Sequence, residues 1–126
     1  MIQTEVNRIE REMIRANVTG EVLLRKFRTA SRGDVKLACA LHGYFGEGND
    51  NYLPYLKSRI RPAATQLILA GRVTELAKLD ELELFTAALT DEFLELAISA
   101  CVPESVIWLL KMKERRFGFG NQELTL

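Results

Sequence analysis

The start of the chain carries apolar residues at intervals of four, three and four, at Ile2, Val6, Ile9 and Met13, with charged side chains between them. This spacing is typical of one face of an α-helix, and it predicts an amphipathic N-terminal helix over residues 1–18. The same stripe also matches two heptads of a coiled-coil seam, so two packing partners are possible for this helix. The helix packs either on the rest of its own domain or on the same helix of a second copy, as a homodimer.

Two further helices are predicted from the same period. Their inner faces are expected at Val22, Leu23, Phe27 and Ala30, and then at Leu37, Ala38, Leu41 and Phe45. Thr19 is placed to cap the first of them, and Asp34 complements the dipole at the start of the second. Residues 46–50 form the clearest loop of the chain, and Asp50 is predicted to cap a short segment after it.

The second half of the chain shows the same helical period and clear end signals. Pro62 indicates the first turn of a helix, and Gly71 suits a left-handed position at its end. Thr90 is predicted to cap a helix over residues 91–101, and Pro103 is predicted to open the last helix. No segment alternates apolar and polar residues over five positions, so the fold is predicted to be all-α.

Three places in the chain share one pattern, which is a helix rich in small residues, a tight turn, and a second helix with neighbouring apolar residues. They are residues 30–38, 70–77 and 100–107. The pattern predicts three helical hairpins over residues 19–117. The turn residues Gly33, Gly71 and Cys101 lie 38 and then 30 positions apart. These spacings bracket the roughly 33 residues of an ankyrin repeat.

On these residues the chain resembles a divergent ankyrin-repeat protein, most closely at Leu96–Ile98 and Val106–Leu110. Its units do not have the Thr-Pro-Leu-His opening of that family, so projecting β-hairpin fingers are not expected. The resemblance implies stacked antiparallel helical hairpins over residues 20–117 and a non-catalytic scaffold or adaptor that binds another protein. It transfers no functional residue. An ordinary helical bundle with three hairpins is the alternative architecture.

Length and composition predict one domain. The 126 residues are 48% hydrophobic, and the domain 1–126 is expected to end in a tail over residues 118–126. The two cysteines are too few for a disulfide framework, and the N-terminus has no signal-peptide pattern. No apolar run approaches the roughly 20 residues of a membrane-spanning helix. These features predict a cytoplasmic protein without a membrane segment.

Charge is balanced overall, with 17 basic and 17 acidic side chains, but it is uneven along the chain. Residues 1–72 have a balance of +5, residues 73–110 of −7, and residues 111–126 of +2. A uniformly basic nucleic-acid-binding protein is therefore not expected. Two basic clusters, Arg25–Arg28 and Lys111–Arg116, keep a small helical regulatory domain that binds nucleic acid as the alternative function.

Candidate catalytic chemistry is limited to one pair of residues. His42 is the single histidine, so a zinc site of Cys and His ligands is not expected, and no cofactor motif is found. Cys39, three residues earlier, could pair with His42 as nucleophile and base, but that chemistry also needs an orienting acid and an oxyanion hole. The sequence therefore predicts a protein that is not an enzyme and has no cofactor.

A partner-binding site is predicted on the last helix. Val106 and Leu110 are expected to face the core, which leaves the opposite side of the helix for a second stripe. The side chains of this stripe are of types enriched at interaction hot spots. They are Trp108, Met112 and Arg115. In the alternative, Phe117 and Phe119 fold back over the stripe as a terminal cap.

Overall fold

The computed structural model describes residues 3–118, and this part of the chain contains eight α-helices and no strand. The helices are α1 (Glu5–Arg15), α2 (Gly20–Thr29), α3 (Gly33–Leu41), α4 (Leu53–Ser58), α5 (Ile60–Ala70), α6 (Val73–Asp80), α7 (Ala87–Ser99) and α8 (Pro103–Phe117). A π-helical turn, His42–Gly46, continues α3, and a 3₁₀ turn, Asp50–Tyr52, precedes α4. The prediction of an all-α fold is confirmed. None of the described helices combines the length and the apolarity that crossing a membrane requires.

The chain divides into two compact units. The first unit is Gln3–Gln66 and contains α1 to α4, and the second begins at Leu67 and contains α6 to α8. The boundary lies inside α5, and therefore inside the segment 19–117 for which the sequence predicts three hairpins. Of the tail predicted over residues 118–126, only Gly118 belongs to the described residues.

In the first unit, the apolar stripe of α1 packs against α3. Val6 and Met13 are buried, as their spacing predicted, and Thr4 caps the helix by accepting the backbone N–H of Asn7 at 3.1 Å. The opposite side of α1 is exposed and carries the ion pairs of Arg8 with Glu5 and Glu12. Because α3 already covers the stripe, a homodimer through these residues would have to displace α3.

Two residues with left-handed backbone mark the break between α1 and α2. They are Asn17 within the break and Gly20 at the start of α2, with φ angles of 57° and 56°. The break lies where the sequence places it. Thr19 precedes α2, but its side chain makes no capping hydrogen bond. The backbone N–H of Gly20 donates instead to Oε2 of Glu47 at 3.0 Å. The predicted Thr19 cap is therefore wrong, because a carboxylate from another element satisfies the first N–H of the helix.

The predicted loop over residues 46–50 is shorter than expected. Helical turns continue to Glu47, so that only Gly48 and Asn49 remain between the helical segments. Asn49, rather than Asp50, caps the next turn by accepting the backbone N–H of Asn51 at 2.9 Å. The side chain of Tyr52, the last residue of this turn, is fully buried against the π-helical turn. This packing explains why helical backbone extends through glycines that the sequence alone assigns to a loop.

Gly43 allows the close approach of Tyr52. A Cβ atom at position 43 would lie 2.0 Å from Cε2 of the Tyr52 ring, which is closer than van der Waals contact allows.

We therefore expect Gly43→Ala to lower the free energy of unfolding by about 3 kcal/mol, because a buried ring has to move. Gly33→Ala is the matched control, since a Cβ there meets nothing within 4 Å. It should raise stability by about 0.5 kcal/mol. Urea unfolding of both variants measures the difference, and equal stabilities would contradict the close approach.

The hydroxyl of Tyr52 is buried and has no hydrogen-bond partner in the described part of the protein. Its removal in Tyr52→Phe should raise the free energy of unfolding by about 1 kcal/mol, because an unsatisfied buried polar group is costly. Burial also raises the pKa of Tyr52 above its usual value of about 10. The raised pKa means that the folded protein resists ionisation of Tyr52, so its stability does not depend on this group below pH of about 10 and falls at higher pH.

The advantage of Tyr52→Phe over the wild type should therefore widen above pH of about 10. Chemical unfolding at neutral and alkaline pH measures it, and Tyr55→Phe, which removes a hydroxyl from a half-buried ring, is the control. A Tyr52→Phe protein that is less stable than the wild type at neutral pH would show that the hydroxyl has a favourable partner.

The second unit begins at the end of α5. Gly71 has a φ of 69° and terminates this helix in the left-handed conformation that the sequence predicts. Thr86, not Thr90, caps α7 by accepting the backbone N–H of Leu89 at 3.1 Å. Thr90 is buried within the helix, and its hydroxyl donates to the carbonyl of Thr86 at 2.7 Å. The predicted cap is therefore wrong, and α7 begins at Ala87, four residues earlier than expected.

A hairpin of α7 and α8 forms the end of the described chain. Residues 100–102 join the two helices, and so short a link places them antiparallel. Pro103 opens α8, as predicted. The helices pack against each other, with the rings of Phe85 and Phe93 in edge-to-face contact at 5.4 Å in the same core. The hydroxyl of Ser105 donates to the carbonyl of Ile68 at 2.7 Å, which fixes the rotation of α8 about its axis.

Candidate protein-binding surface

The core side of α8 differs from the predicted one. Its buried residues are Ser105, Leu109 and Met112, which follow one another at intervals of four and three. Leu109 is fully buried, whereas Leu110, which was expected in the core, is 41% exposed. The helix is therefore rotated by about one residue, or 100°, from the predicted orientation. The sequence did not decide between the two because α8 carries apolar residues on more than one side.

The structure does not bring the three predicted partner-binding residues together on one surface. Met112 is fully buried and belongs to the core, so its side chain is not available to a partner. Trp108 is half-buried, and Arg115 is exposed but is bound to Asp80. The predicted stripe fails as a surface because its orientation depended on Leu110 facing inward. The proposed cap by Phe119 lies outside the described residues.

Asp80, the last residue of α6, organises an ion cluster with the end of α8. Its side chain is only 6% exposed. Oδ2 of Asp80 lies 3.0 Å from Nη2 of Arg115 and 3.0 Å from Nη2 of Arg116. Arg116 also donates to the backbone carbonyl of Asp80 at 3.3 Å and lies 3.7 Å from a carboxylate oxygen of Glu83. Two cations of the predicted basic cluster are therefore structural, since they compensate a buried carboxylate.

The two arginines should differ in their contribution to stability. Arg116 is the less exposed and makes the larger number of polar contacts, so Arg116→Ala should lower the free energy of unfolding by about 2 kcal/mol. Arg115→Ala removes one contact from a largely exposed side chain and should cost about 0.5 kcal/mol. Urea unfolding of the two variants measures this order. The reverse order would mean that Arg115, not Arg116, neutralises Asp80.

A different part of the hairpin exposes large apolar side chains. Ile107, Leu110 and Phe117 on α8 are spaced by three and seven residues, so they share one flank of the helix. Ile98 is exposed near the end of α7. Together these four residues, Ile98, Ile107, Leu110 and Phe117, are called the hairpin face below. Trp108 and Arg115 lie on the other flank of α8, by the same helical geometry.

An ion pair shows that the exposed residues of α7 and α8 border the same side of the hairpin. Lys113 Nζ lies 2.8 Å from Oδ1 of Asp91, which links the two helices. Asp91 precedes Ile98 by seven residues and therefore shares its side of α7, while Lys113 follows Leu110 by three residues on α8. The exposed apolar residues of α7 and α8 therefore lie on the side of the hairpin that this ion pair borders. The helical positions that form the hairpin face were visible in the sequence, but their exposure was not.

Cys39 and His42 are directed to different partners. The thiol of Cys39 is buried and lies 3.8 Å from Sδ of Met13, and Nε2 of His42 donates to the carbonyl of Val18 at 3.0 Å. Burial raises the pKa of the Cys39 thiol, which keeps it in the protonated, weakly nucleophilic form. The described residues also contain no cluster of three or more His, Cys, Asp or Glu side chains that could hold a metal ion.

The basic cluster on α2 is exposed. Arg25, Lys26 and Arg28 face the solvent, and none of them forms an ion pair within residues 3–118. Phe27 between them is buried, with its ring in edge contact with Tyr52 at 5.0 Å. The cluster can therefore contact phosphates as point charges, but its aromatic residue is not available to stack on a base.

The first unit also contains a cavity of about 370 Å³, which is lined by Val6, Gly33, Asp34, Leu37, Tyr55, Arg59 and Pro62. This volume lies near the lower end of the roughly 300–1,000 Å³ of small-molecule sites. The carboxylate of Asp34 is bound to Arg32 at 2.5 Å, and this bond lowers the pKa of Asp34. A cationic ligand would have to compete with Arg32 for this carboxylate.

Comparisons of the chain with protein-family models, with curated proteins and with solved structures found no match. A functional proposal therefore depends on the exposure, charge and packing of the described residues. By these criteria the hairpin face differs most from an ordinary water-exposed surface, because four large apolar side chains are grouped on two adjacent helices.

Proposed function

We propose that the protein is a non-catalytic interaction module, a scaffold or adaptor, and that it binds another protein through the hairpin face. The observation that carries the proposal is the exposure of Ile98, Ile107, Leu110 and Phe117, which ranges from 38 to 57%. A group of exposed large apolar side chains on neighbouring helices is typical of protein interaction sites. The divergent ankyrin-like stack is the finer fold hypothesis, because such a hairpin leaves a face that only a neighbour can bury.

The energetics of the hairpin face favour a protein partner. Full burial of a large aliphatic or aromatic side chain is worth about 1.5–3 kcal/mol, and these four are about half buried already. A partner that covers all four would therefore gain about 3–6 kcal/mol from apolar burial. The surrounding charges, including Glu95 and Lys111, provide the polar rim that such interfaces have.

Leu110→Glu tests this function, because it places a charge in the middle of the hairpin face without disturbing a buried residue. Wild-type protein immobilised on a resin should retain a partner from a lysate of its source cells, and Leu110→Glu should lose at least nine-tenths of it. Val22→Glu is the matched control. Val22 is 59% exposed on α2, and its substitution also replaces an exposed aliphatic side chain by glutamate, but in the first unit. Equal retention by all three proteins would contradict the proposal.

Trp108→Ala belongs in the same experiment, because the sequence predicts Trp108 as a partner contact. It lies on the flank of α8 opposite the hairpin face, so a partner bound to that face should be retained by this variant. Loss of the partner with Trp108→Ala but not with Leu110→Glu would move the interaction to the other flank of α8.

Nucleic-acid binding is the second candidate function, and the exposed, unpaired cations of α2 favour it. Their effect is limited by the balanced net charge of the whole chain. Nuclease treatment of the captured material and charge reversal at Arg25 and Arg28 distinguish the two candidates. Retention that survives nuclease and the reversed charges supports the protein partner, whereas nucleic acid lost with both changes supports the alternative.

The predicted cytoplasmic location is part of the same proposal. Both cysteines are free thiols in the structure, with Cys39 buried and Cys101 exposed. An exposed free thiol is compatible with a reducing compartment, where disulfides rarely form.

A further inference from the structure

We propose that the cavity of the first unit binds a small carboxylic acid with an apolar body, and that Arg59 is the partner of its carboxylate. This site is independent of the hairpin face, since all of its lining residues belong to the first unit. Its lining combines an apolar floor with one cation whose charge the described chain does not compensate.

The floor of the cavity is apolar. Val6 of α1 and Leu37 of α3 are buried, and Tyr55 of α4 and Pro62 of α5 extend the apolar lining toward the solvent. These residues come from four different helices, so the cavity is formed by helix packing. A ligand that covers this lining needs an apolar body, because the removal of apolar area from water is a main source of affinity in small-molecule sites.

The acidic residue of the lining does not leave a negative charge for a ligand. Oδ2 of Asp34 lies 2.5 Å from Nη2 of Arg32, and Oδ1 accepts the backbone N–H of Val35 at 2.8 Å. Both carboxylate oxygens are therefore engaged within the chain, and the charge of Asp34 is compensated by a neighbouring side chain. The lining thus does not favour a cationic ligand.

Arg59 differs from Asp34, because its exposed guanidinium forms no hydrogen bond or ion pair within residues 3–118. Its backbone is fixed, since its N–H donates to the carbonyls of Tyr55 at 3.0 Å and of Leu56 at 3.1 Å at the end of α4. Cζ of Arg59 lies 5.9 Å from the centroid of the Tyr55 ring, so the cation lies beside the apolar lining.

A second cation lies near the same ring. Nζ of Lys36 is 5.7 Å from the centroid of the Tyr55 ring; it donates to the backbone carbonyl of Phe27 and has no carboxylate partner in the described chain. The charge that remains uncompensated at this side of the cavity is therefore positive. A guanidinium such as that of Arg59 can donate two parallel hydrogen bonds to a planar carboxylate, which favours this anion.

The volume of the cavity sets the size of the ligand. A volume of about 370 Å³ equals that of about a dozen water molecules of about 30 Å³ each, so the ligand should have roughly as many non-hydrogen atoms. Gly33 leaves part of this space open, because a Cβ atom at position 33 would meet nothing within 4 Å. A larger side chain at this position would therefore occupy the cavity without displacing a neighbour at its Cβ.

Phenylbutyrate is a probe of matching size and charge, and an NMR titration of the isotope-labelled full chain measures its binding. Wild-type protein should bind it with a Kd of about 1 mM or lower, with amide shifts concentrated in residues 33–37 and 55–62. Arg59→Gln should weaken binding about tenfold, because it removes the charged donor. Arg25→Gln is the matched control, since Arg25 is an exposed arginine without an ion pair on α2, outside the lining.

Two further comparisons separate the charge from the apolar contact. Phenylbutanamide has the same apolar body without the charge, so it should bind wild type about tenfold more weakly and be indifferent to Arg59→Gln. Gly33→Leu places a side chain in the cavity and should weaken both ligands about tenfold or more. Circular dichroism and urea unfolding of each variant check that the fold is intact.

Four results would overturn the inference. Absence of amide shifts in the two ranges up to about 10 mM phenylbutyrate would show that the cavity does not bind this class of ligand. Equal affinities for the acid and the amide would show that it does not select an anion. Unchanged binding by Arg59→Gln would exclude Arg59 as the partner, and equal weakening by Arg25→Gln would reduce the effect to a general attraction of anions by the first unit.

Discussion

The described helices are too short to be stable by themselves, so the structure depends on the burial of one face of each helix. They range from 6 residues in α4 to 15 in α8, and isolated helices below about 12–15 residues are marginal in water. The consequence is visible in α1, which is held by Val6 and Met13 against α3, and in α8, which is held by Leu109 and Met112. Apolar residues that remain exposed therefore do not contribute to packing within the described part of the chain.

At the π-helical turn of the first unit, side-chain packing outweighs the free-energy cost of burying polar atoms without hydrogen-bond partners. Two buried polar atoms there, Nδ1 of His42 and the hydroxyl of Tyr52, have no hydrogen-bond partner in the described protein. Gly43 and Gly46 permit the approach of the Tyr52 and His42 rings, because a Cβ at either position would be closer than 3 Å to ring atoms. The cost is offset by complete burial of Tyr52 and by its edge contact with Phe27 at 5.0 Å. Packing thus keeps this segment helical, although its glycines favour a turn.

Local signals in the sequence were sufficient for the helical class and for several helix ends, and they failed where two local solutions were equivalent. Gly71 could be placed because a left-handed helix end is a local property. Thr86 and Thr90 both have capping side chains, and the choice depends on the hydroxyl of Thr90 bonding within the helix. Leu109 and Leu110 are equally apolar, so the core side of α8 was decided by contacts with distant residues. The candidate surface changed with that choice, since the partner stripe and the hairpin face lie on different flanks.

Exposure of a single apolar residue does not distinguish the hairpin face from the rest of the protein. Val22 on α2 and Ile14 on α1 are more than half exposed, but each stands alone among charged neighbours, as many surface residues do. The four residues on α7 and α8 are different because they are grouped on two helices that pack against each other.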